Sequence, residues 1–155
     1  MSKKVKPVAK GYHSITAMIA VEDTMKAIQF YKKIFGAKVM NLLKESGGRV
    51  AHAEIKIGDS VLMIADENPQ YNHTPKSLGA TTLIISLYIE NVDKIIKKAL
   101  SSGAKLLIPP RDQFYGDRSG RIEDPFGHVW IISTHIEDVT PKEMLKRYKK
   151  LIGNG

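Results

Sequence analysis

The sequence contains no cysteine, which excludes disulfide bridges, thiolate metal sites and a cysteine nucleophile. Long apolar runs are also missing, since no stretch approaches the roughly 18 residues that a membrane-spanning helix needs. The basic opening segment, MSKKVKPVAK, is not followed by the apolar segment of a secretory signal. These absences predict a cytoplasmic protein with no membrane partner.

Aromatic residues are scarce at 7%, and no strand interleaves them with basic residues as an RNA-recognition surface does. The net charge of +8 would suit a phosphate polymer. Most lysines, however, recur at the spacing of solvated helix surfaces. We therefore do not expect nucleic acid to be the partner, and a role for the basic segment 140–155 stays as an alternative. The 155 residues, 43% of them apolar, are enough for one folded domain.

A repeated pattern organises the chain. An apolar strand at about residues 15–21 is followed by a helix with one apolar face, which ends at Gly36. In the second half, a strand at about residues 83–89 is followed by a similar helix, which Gly103 stops. Repeats of this kind indicate two copies of one structural module.

Each half has room for three further strands after its helix. The predicted strands lie at about residues 38–44, 49–57 and 60–65 in the first half, and 105–109, 120–123 and 128–133 in the second. A final helix begins at Thr140-Pro141-Lys142-Glu143, which has the form of a capping box. The predicted fold class is α+β, with two tandem βαβββ modules and a C-terminal helix.

The predicted divisions follow from this pattern. They are a basic flexible N-terminus at 1–11, module one at about 12–66, a linker at 67–79, module two at about 80–138, and a C-terminal helix and tail at 139–155.

Alternation along the strands sorts the side chains into two faces. In the strand at 83–89 the odd positions are all aliphatic, which predicts that they pack against the helices. The even positions, Thr82, Ile84, Ser86 and Tyr88, mix hydroxyl groups with apolar atoms and suit a ligand pocket. Alternatively, this face meets solvent or a second sheet.

His52 and Glu54 share a face of the strand at 49–57, roughly 7 Å apart along the strand. A His–Glu pair could supply general acid–base catalysis or two ligands for a metal. The pair could equally be hydrogen-bonded on a solvated sheet face.

One helix carries the pattern A-x-x-F-Y-x-x-x-F-G-A, at residues 27–37. Further motifs are His52-Ala53-Glu54 before Gly58-Asp59-Ser60, then Gly116-Asp117-Arg118-Ser119-Gly120-Arg121, and Asp124-Pro125-Phe126-Gly127-His128-Val129-Trp130. Together with the repeat, these motifs resemble the glyoxalase/bleomycin resistance/extradiol dioxygenase group, the vicinal oxygen chelate superfamily, and within it the PhnB-like branch. The resemblance covers about residues 12–138 and identifies them as one domain of this type.

The resemblance implies mixed sheets that curve around a cavity, usually completed by a homodimer. In the enzymes of the superfamily, a divalent metal is held there by His, Gln or Glu from the first and last strand of each module. Those positions correspond to Thr16, Met63, Ile84 and Ile131, which we expect to point into the cavity. A hydroxyl, a thioether and two alkyl side chains are poor ligands for such a metal. We therefore predict no metal and no other cofactor.

Asp117 and Arg118 lie between two glycines, with Tyr115 beside them as a candidate lid aromatic. Arg118 could clasp an anionic ligand, because its planar guanidinium matches a carboxylate or phosphate. Alternatively, Asp117 and Arg118 pair with each other and hold the loop. His135 has no partner at metal-ligand spacing in the sequence, so we do not assign it to a site.

These observations predict a protein that binds a small molecule in the βαβββ cavity without the family's metal. The predicted ligand-binding residues are Thr16, Met18, Met63, Thr82, Ile84, Ser86, Tyr88, Tyr115, Arg118 and Ile131. The alternative is a lyase, isomerase or dioxygenase of the vicinal oxygen chelate type, with His52 and Glu54 as catalytic residues.

Overall fold

The structure, a computed structural model, describes residues 5–153 of the chain. It divides between Gly79 and Ala80 into two units, which we call module one and module two and describe separately. Parts of the predicted N-terminal segment and C-terminal tail, at residues 1–4 and 154–155, lie outside the described residues.

Module one contains one mixed four-stranded sheet. Its elements are β1 (Ala17–Val21), α1 (Thr24–Phe35), β2 (Lys38–Lys44), β3 (Val50–Ile57), β4 (Ser60–Asp66) and the short helix α2 (Pro75–Leu78). The strand order is β1-β4-β3-β2, with β1 parallel to β4 and the other neighbours antiparallel.

Module two repeats this topology. Its elements are β5 (Ile84–Tyr88), α3 (Val92–Leu100), β6 (Lys105–Asp112), β7 (Asp117–Glu123), β8 (Val129–His135) and α4 (Pro141–Leu151). The strand order is β5-β8-β7-β6, again with only the first pair parallel. The predicted fold class, two tandem βαβββ modules and a C-terminal helix, is confirmed.

Local sequence signals set the ends of the two long helices. The Asp23 side chain accepts a hydrogen bond from the Lys26 amide at 3.0 Å and so caps α1, and Asn91 caps α3 in the same way through Lys94. Helix α1 ends at Gly36, whose φ of 68° is left-handed and costs glycine little. Helix α3 ends at Leu100, three residues before the predicted Gly103, with Ser101 as its C-terminal cap.

The core of each module lies between its sheet and its long helix. The largest fully buried side chains are Tyr31, Ile55 and Ile64 in module one, and Trp130, Ile122 and Ile132 in module two. The indole of Trp130 donates to the Asp124 carboxylate at 2.8 Å, which also accepts from the amides of Phe126 and His128. Asp124 therefore closes the turn before β8.

Asp66 and Thr134, at the ends of β4 and β8, tie the sheets to the helix starts. The Asp66 carboxylate accepts from the amides of Thr24 and Val50, each at 2.7 Å. The Thr134 hydroxyl accepts from the Val92 amide at 2.9 Å and donates to the Ile89 carbonyl. Each side chain thus satisfies one amide of a first helical turn, which has no partner within the helix.

Three elements differ from the sequence prediction. Strand β6 continues through Pro109 and Pro110 to Asp112, because it is an edge strand in which missing amides and register shifts are tolerated. Strand β7 begins at Asp117 rather than Gly120, since Asp117 already pairs with His135 of β8. The predicted linker contains α2.

Helix α4 has only half of the predicted capping box. Thr140 accepts from the Glu143 amide, whereas the Glu143 carboxylate bonds to Arg147 instead of the cap. Arg147 also binds Glu137, and Tyr148 packs against Phe114 with ring centres 5.5 Å apart, so the helix is tied to module two. Of the helices within residues 5–153, none is long and apolar enough to cross a membrane.

Candidate functional site

Each sheet has a face turned away from its helix, which we call the open face. In module one, Met63 lies opposite Met18 on one side and Glu54 on the other, so the three share the open face. Thr16 directly precedes β1. Met18 is exposed and Met63 is half-buried, as expected for side chains that line an uncovered sheet surface.

Glu54 is the centre of a hydrogen-bonded cluster on this face. Its carboxylate lies 3.1 Å from the Nε2 of His52 and accepts a hydrogen bond from the Tyr12 hydroxyl. The Tyr12 hydroxyl, and then His52, lower the pKa of Glu54, while the same bond raises the pKa of Tyr12. Glu54 is therefore a carboxylate with both oxygens engaged, and the two sequence-predicted residues are brought together.

The four positions that the sequence resemblance assigns to metal ligands carry side chains that do not fit a divalent metal. Met63 lies between two other open-face residues of module one, and Ile131 lies opposite Ser86 in module two. The full set, Thr16, Met63, Ile84 and Ile131, offers one hydroxyl and one thioether, whereas divalent metals of this kind take His, Asp or Glu. Nor do any three His, Asp or Glu side chains within residues 5–153 gather as metal ligands.

The open face of module two carries several predicted ligand-binding residues. Ser86, Ile131 and Arg121 lie side by side across three strands. Tyr88, Ser133 and Ser119 form the next row. Among residues 82–88 the even positions are exposed, while Ile85 and Leu87 are half-buried. Leu83, which precedes the strand, is exposed as well, so the predicted sorting is observed only within β5.

Asp117 forms a second cluster at the end of this face. It is 4% exposed, accepts a hydrogen bond from the Tyr88 hydroxyl at 2.6 Å, and lies 2.8 Å from the Nδ1 of His135. The other ring nitrogen of His135 lies 2.9 Å from Asp138. Asp117, and then Asp138, raise the pKa of His135, and Asp117 raises that of Tyr88.

Sequence reasoning missed the Asp117–His135 pair. The two residues are 18 apart in the chain and become opposite neighbours only through the β7–β8 register. The signal that could have found them is the alignment of the two strands about the Asp124 turn, which places Asp117 against His135.

A cavity of about 170 Å³ opens on module two beside this cluster. It is lined by Ile108, Arg111, Gln113, Tyr115, Ser119, Gly120, Arg121 and Ile131. Two predicted ligand-binding residues, Tyr115 and Ile131, therefore line one cavity, and the Tyr115 hydroxyl lies 3.4 Å from that of Ser119. The two arginines in the lining were not singled out from the sequence.

Arg118 is engaged elsewhere. Its guanidinium binds Asp93 of α3 and Asp112 of β6, and these carboxylates raise its pKa. Neighbouring residues of a strand point to opposite faces, which separates Arg118 from Asp117 and Ser119. Arg118 and Asp117 therefore do not pair with each other, and the arginines that line the cavity are Arg111 and Arg121.

Comparison with known proteins agrees with this architecture. A sequence model of the Glyoxalase/Bleomycin resistance protein/Dioxygenase superfamily matches residues 13–132. The uncharacterized protein Mb0911c of Mycobacterium bovis is 33% identical over 135 residues, which cover 84% of this chain and 89% of that protein.

Solved structures share the fold at lower identity. The PhnB protein from Bacillus cereus is 18% identical with a TM-score of 0.62, over 79% of this chain and 99% of that one. The fosfomycin resistance protein FosX from Listeria monocytogenes, solved with Mn(II) and sulfate, is 20% identical with a TM-score of 0.60, over 88% of this chain and 97% of that one.

Proposed function

The chain belongs to the glyoxalase/bleomycin resistance protein/dioxygenase superfamily, and on this premise we propose that it binds a small molecule on its open sheet faces without a divalent metal. The observation that carries the proposal is the module-two cavity, where hydroxyl, amide and guanidinium groups surround apolar side chains. Such a mixture is typical of small-molecule sites, in which apolar surface supplies affinity and a few polar groups fix orientation.

The metal-free part of the proposal rests on donor chemistry. The residues at the family's ligand positions offer a hydroxyl and a thioether at best, which divalent zinc, nickel or manganese do not bind tightly. We carry forward from the sequence a cytoplasmic location and a homodimer that completes the binding surface. Light scattering of the purified protein in solution tests the dimer.

Two measurements test this function. Elemental analysis of the protein, untreated and after incubation with Ni²⁺, Zn²⁺ or Mn²⁺ and desalting, should find no stoichiometric metal. A thermal-shift screen of small molecules should find compounds that raise Tm equally with and without EDTA, because ligand binding stabilises the folded state. Tight uptake of one metal per chain, or ligand effects that EDTA abolishes, would contradict the proposal.

The second candidate function is an enzyme with an atypical site, favoured by the Tyr12–Glu54–His52 cluster. A carboxylate hydrogen-bonded to a histidine on an uncovered sheet face can hold and pass a proton. The test is a substrate screen for lyase, isomerase and dioxygenase turnover, with the His52→Ala/Glu54→Ala variant as comparison. If the folded double variant retains full turnover, this second candidate function is wrong.

A further inference from the structure

The two arginines of the module-two cavity differ from the other three in the chain. Arg49, Arg118 and Arg147 are each held by one or two carboxylates. Within the part of the chain that the structure describes, Arg111 and Arg121 have no carboxylate partner. Both line the same cavity. Two guanidinium groups without counter-charges in one concave site attract an anionic ligand.

Their strand positions bring the two arginines together. Arg111 of β6 lies opposite Ser119 of β7, and Arg121 is two residues further along β7 on the same face. Diagonal neighbours of this kind are roughly 7–8 Å apart in an antiparallel pair. Their side chains can therefore approach one oxyanion from two sides, with the buried Ser119 between them.

Arg121 has a polar atom that the protein leaves unsatisfied. Its Nε is buried and has no hydrogen-bond partner among residues 5–153. A buried guanidinium N–H without an acceptor is costly, because it has lost its water and gained nothing in return. An oxyanion in the cavity would supply the acceptor, and the hydrogen-bonded hydroxyls of Ser119 and Tyr115 leave one O–H free to donate from the same wall.

We propose that this cavity binds the anionic group of a small ligand, a carboxylate, phosphate or phosphonate, between Arg111 and Arg121. The inference rests on the proposed function and names the class of small molecule. Planar guanidinium groups bind such oxyanions through paired N–H···O bonds. The volume of about 170 Å³ is slightly more than the roughly 150 Å³ that accommodates benzene, so the cavity suits a small group of about that size in total. Ile108 and Ile131 provide the apolar contact.

Calorimetric titration of the full chain tests the proposal with three probes of similar size: phenylphosphonate, benzoate and the uncharged benzyl alcohol. At least one of the two anions should bind at least tenfold more tightly than the alcohol. Arg111→Gln and Arg121→Gln should each weaken that binding at least tenfold, since charged hydrogen bonds are lost. Arg121→Lys keeps the charge without the planar fork, so its affinity for the anion should be intermediate between that of the parent protein and that of Arg121→Gln.

Arg118→Gln is the matched control, because it removes the same charge from the same strand outside the cavity lining. It should leave anion binding within twofold. If it weakens binding as much as Arg121→Gln, the attraction is one of net charge and the proposal falls. Arg111 is exposed, so its variant remains informative even if an Arg121 variant unfolds.

Failure of this inference is distinguishable from failure of the proposed function. Benzyl alcohol binding as tightly as both anions would overturn the anion site and leave small-molecule binding in place. Absence of binding by both anions at 10 mM would also overturn it. The metal analysis and the ligand screen decide the proposed function independently of these probes.

Discussion

The Nδ1 of His135 lies 2.8 Å from a carboxylate oxygen of Asp117, across the antiparallel pair of β7 and β8. Asp117 is buried, whereas the His135 side chain is half exposed and reaches Asp138 with its other nitrogen. The buried carboxylate thus fixes the orientation of an imidazole at the edge of the open face. Tyr88 shares the same carboxylate and lies on that face.

The His135 pKa should be above the ordinary value of about 6.5, because both neighbouring carboxylates favour the imidazolium. NMR titration of the histidine ring protons measures it. Asp117→Asn should move the pKa down more than Asp138→Asn does, since Asp117 is the stronger cause. A His135 pKa at or below the ordinary value in the parent protein would contradict the described hydrogen bonds.

The His135 interaction should also make stability depend on pH. Because the folded-state pKa is raised, its contribution is fully present below about pH 6.5 and is lost as the pH rises through the folded-state pKa. Urea unfolding of the parent protein and of His135→Gln, from pH 5.5 to 9, measures the difference. The free energy of unfolding of the parent protein should exceed that of the variant most at acid pH. A difference in unfolding free energy that grows with pH would contradict the prediction.

Gly116→Ala should be strongly destabilising, by roughly 3 kcal/mol or more. Gly116 has a φ of 97°, and an added Cβ would lie 2.1 Å from the Glu137 carbonyl oxygen, which is backbone and cannot rotate away. Gly48→Ala is the control, because Gly48 has a φ of 87° in open space. It should cost only about 1–2 kcal/mol from the left-handed backbone. Equal losses of unfolding free energy in the two variants, measured by chemical denaturation, would show that the contact with the Glu137 carbonyl oxygen adds no cost.

Asp66→Ala should destabilise the protein more than Thr134→Val. Asp66 accepts two backbone hydrogen bonds with a charged group, so we expect a loss of about 3 kcal/mol in the free energy of unfolding. Thr134→Val removes one accepted and one donated bond of a neutral hydroxyl, at about 1–2 kcal/mol. Asp66→Asn keeps an acceptor oxygen, so its loss of unfolding free energy should be smaller than that of Asp66→Ala and larger than that of Thr134→Val. A larger loss of unfolding free energy for Thr134→Val than for Asp66→Ala would contradict the described hydrogen bonds.

Most of the secondary structure could be predicted because its signals are local. The caps Asp23 and Asn91, the terminator Gly36 and the alternation along residues 50–57 are set by neighbouring residues in the chain. The prediction was weakest at β6 and β7. There, Pro109-Pro110 and the glycine-flanked Asp117 resemble loop residues. The pairing of Ile108 and Arg111 on either side of the prolines, and of Asp117 with His135, places them in strands.

The candidate site was predicted only in part for the same reason. Alternation put His52 and Glu54 on one face, and their hydrogen bond agrees with that. Alternation could not choose between Arg118 and Arg121, because the sequence does not show where β7 begins or which of its faces the helix covers. The structure pairs Arg118 with Asp93 of α3 and leaves Arg121 in the cavity lining.

The sequence by itself determined the two-module fold and the family, since the repeat, the helix motif and the turn motifs are patterns of residues close together in the chain. The poor metal-ligand set at Thr16, Met63, Ile84 and Ile131 stays a prediction, which combines the positions implied by the family resemblance with the chemistry of their side chains. Only the tertiary structure decided which polar groups meet. The Asp117–His135 pair and the Arg111–Arg121 cavity depend on strand register, which contacts between distant parts of the chain fix.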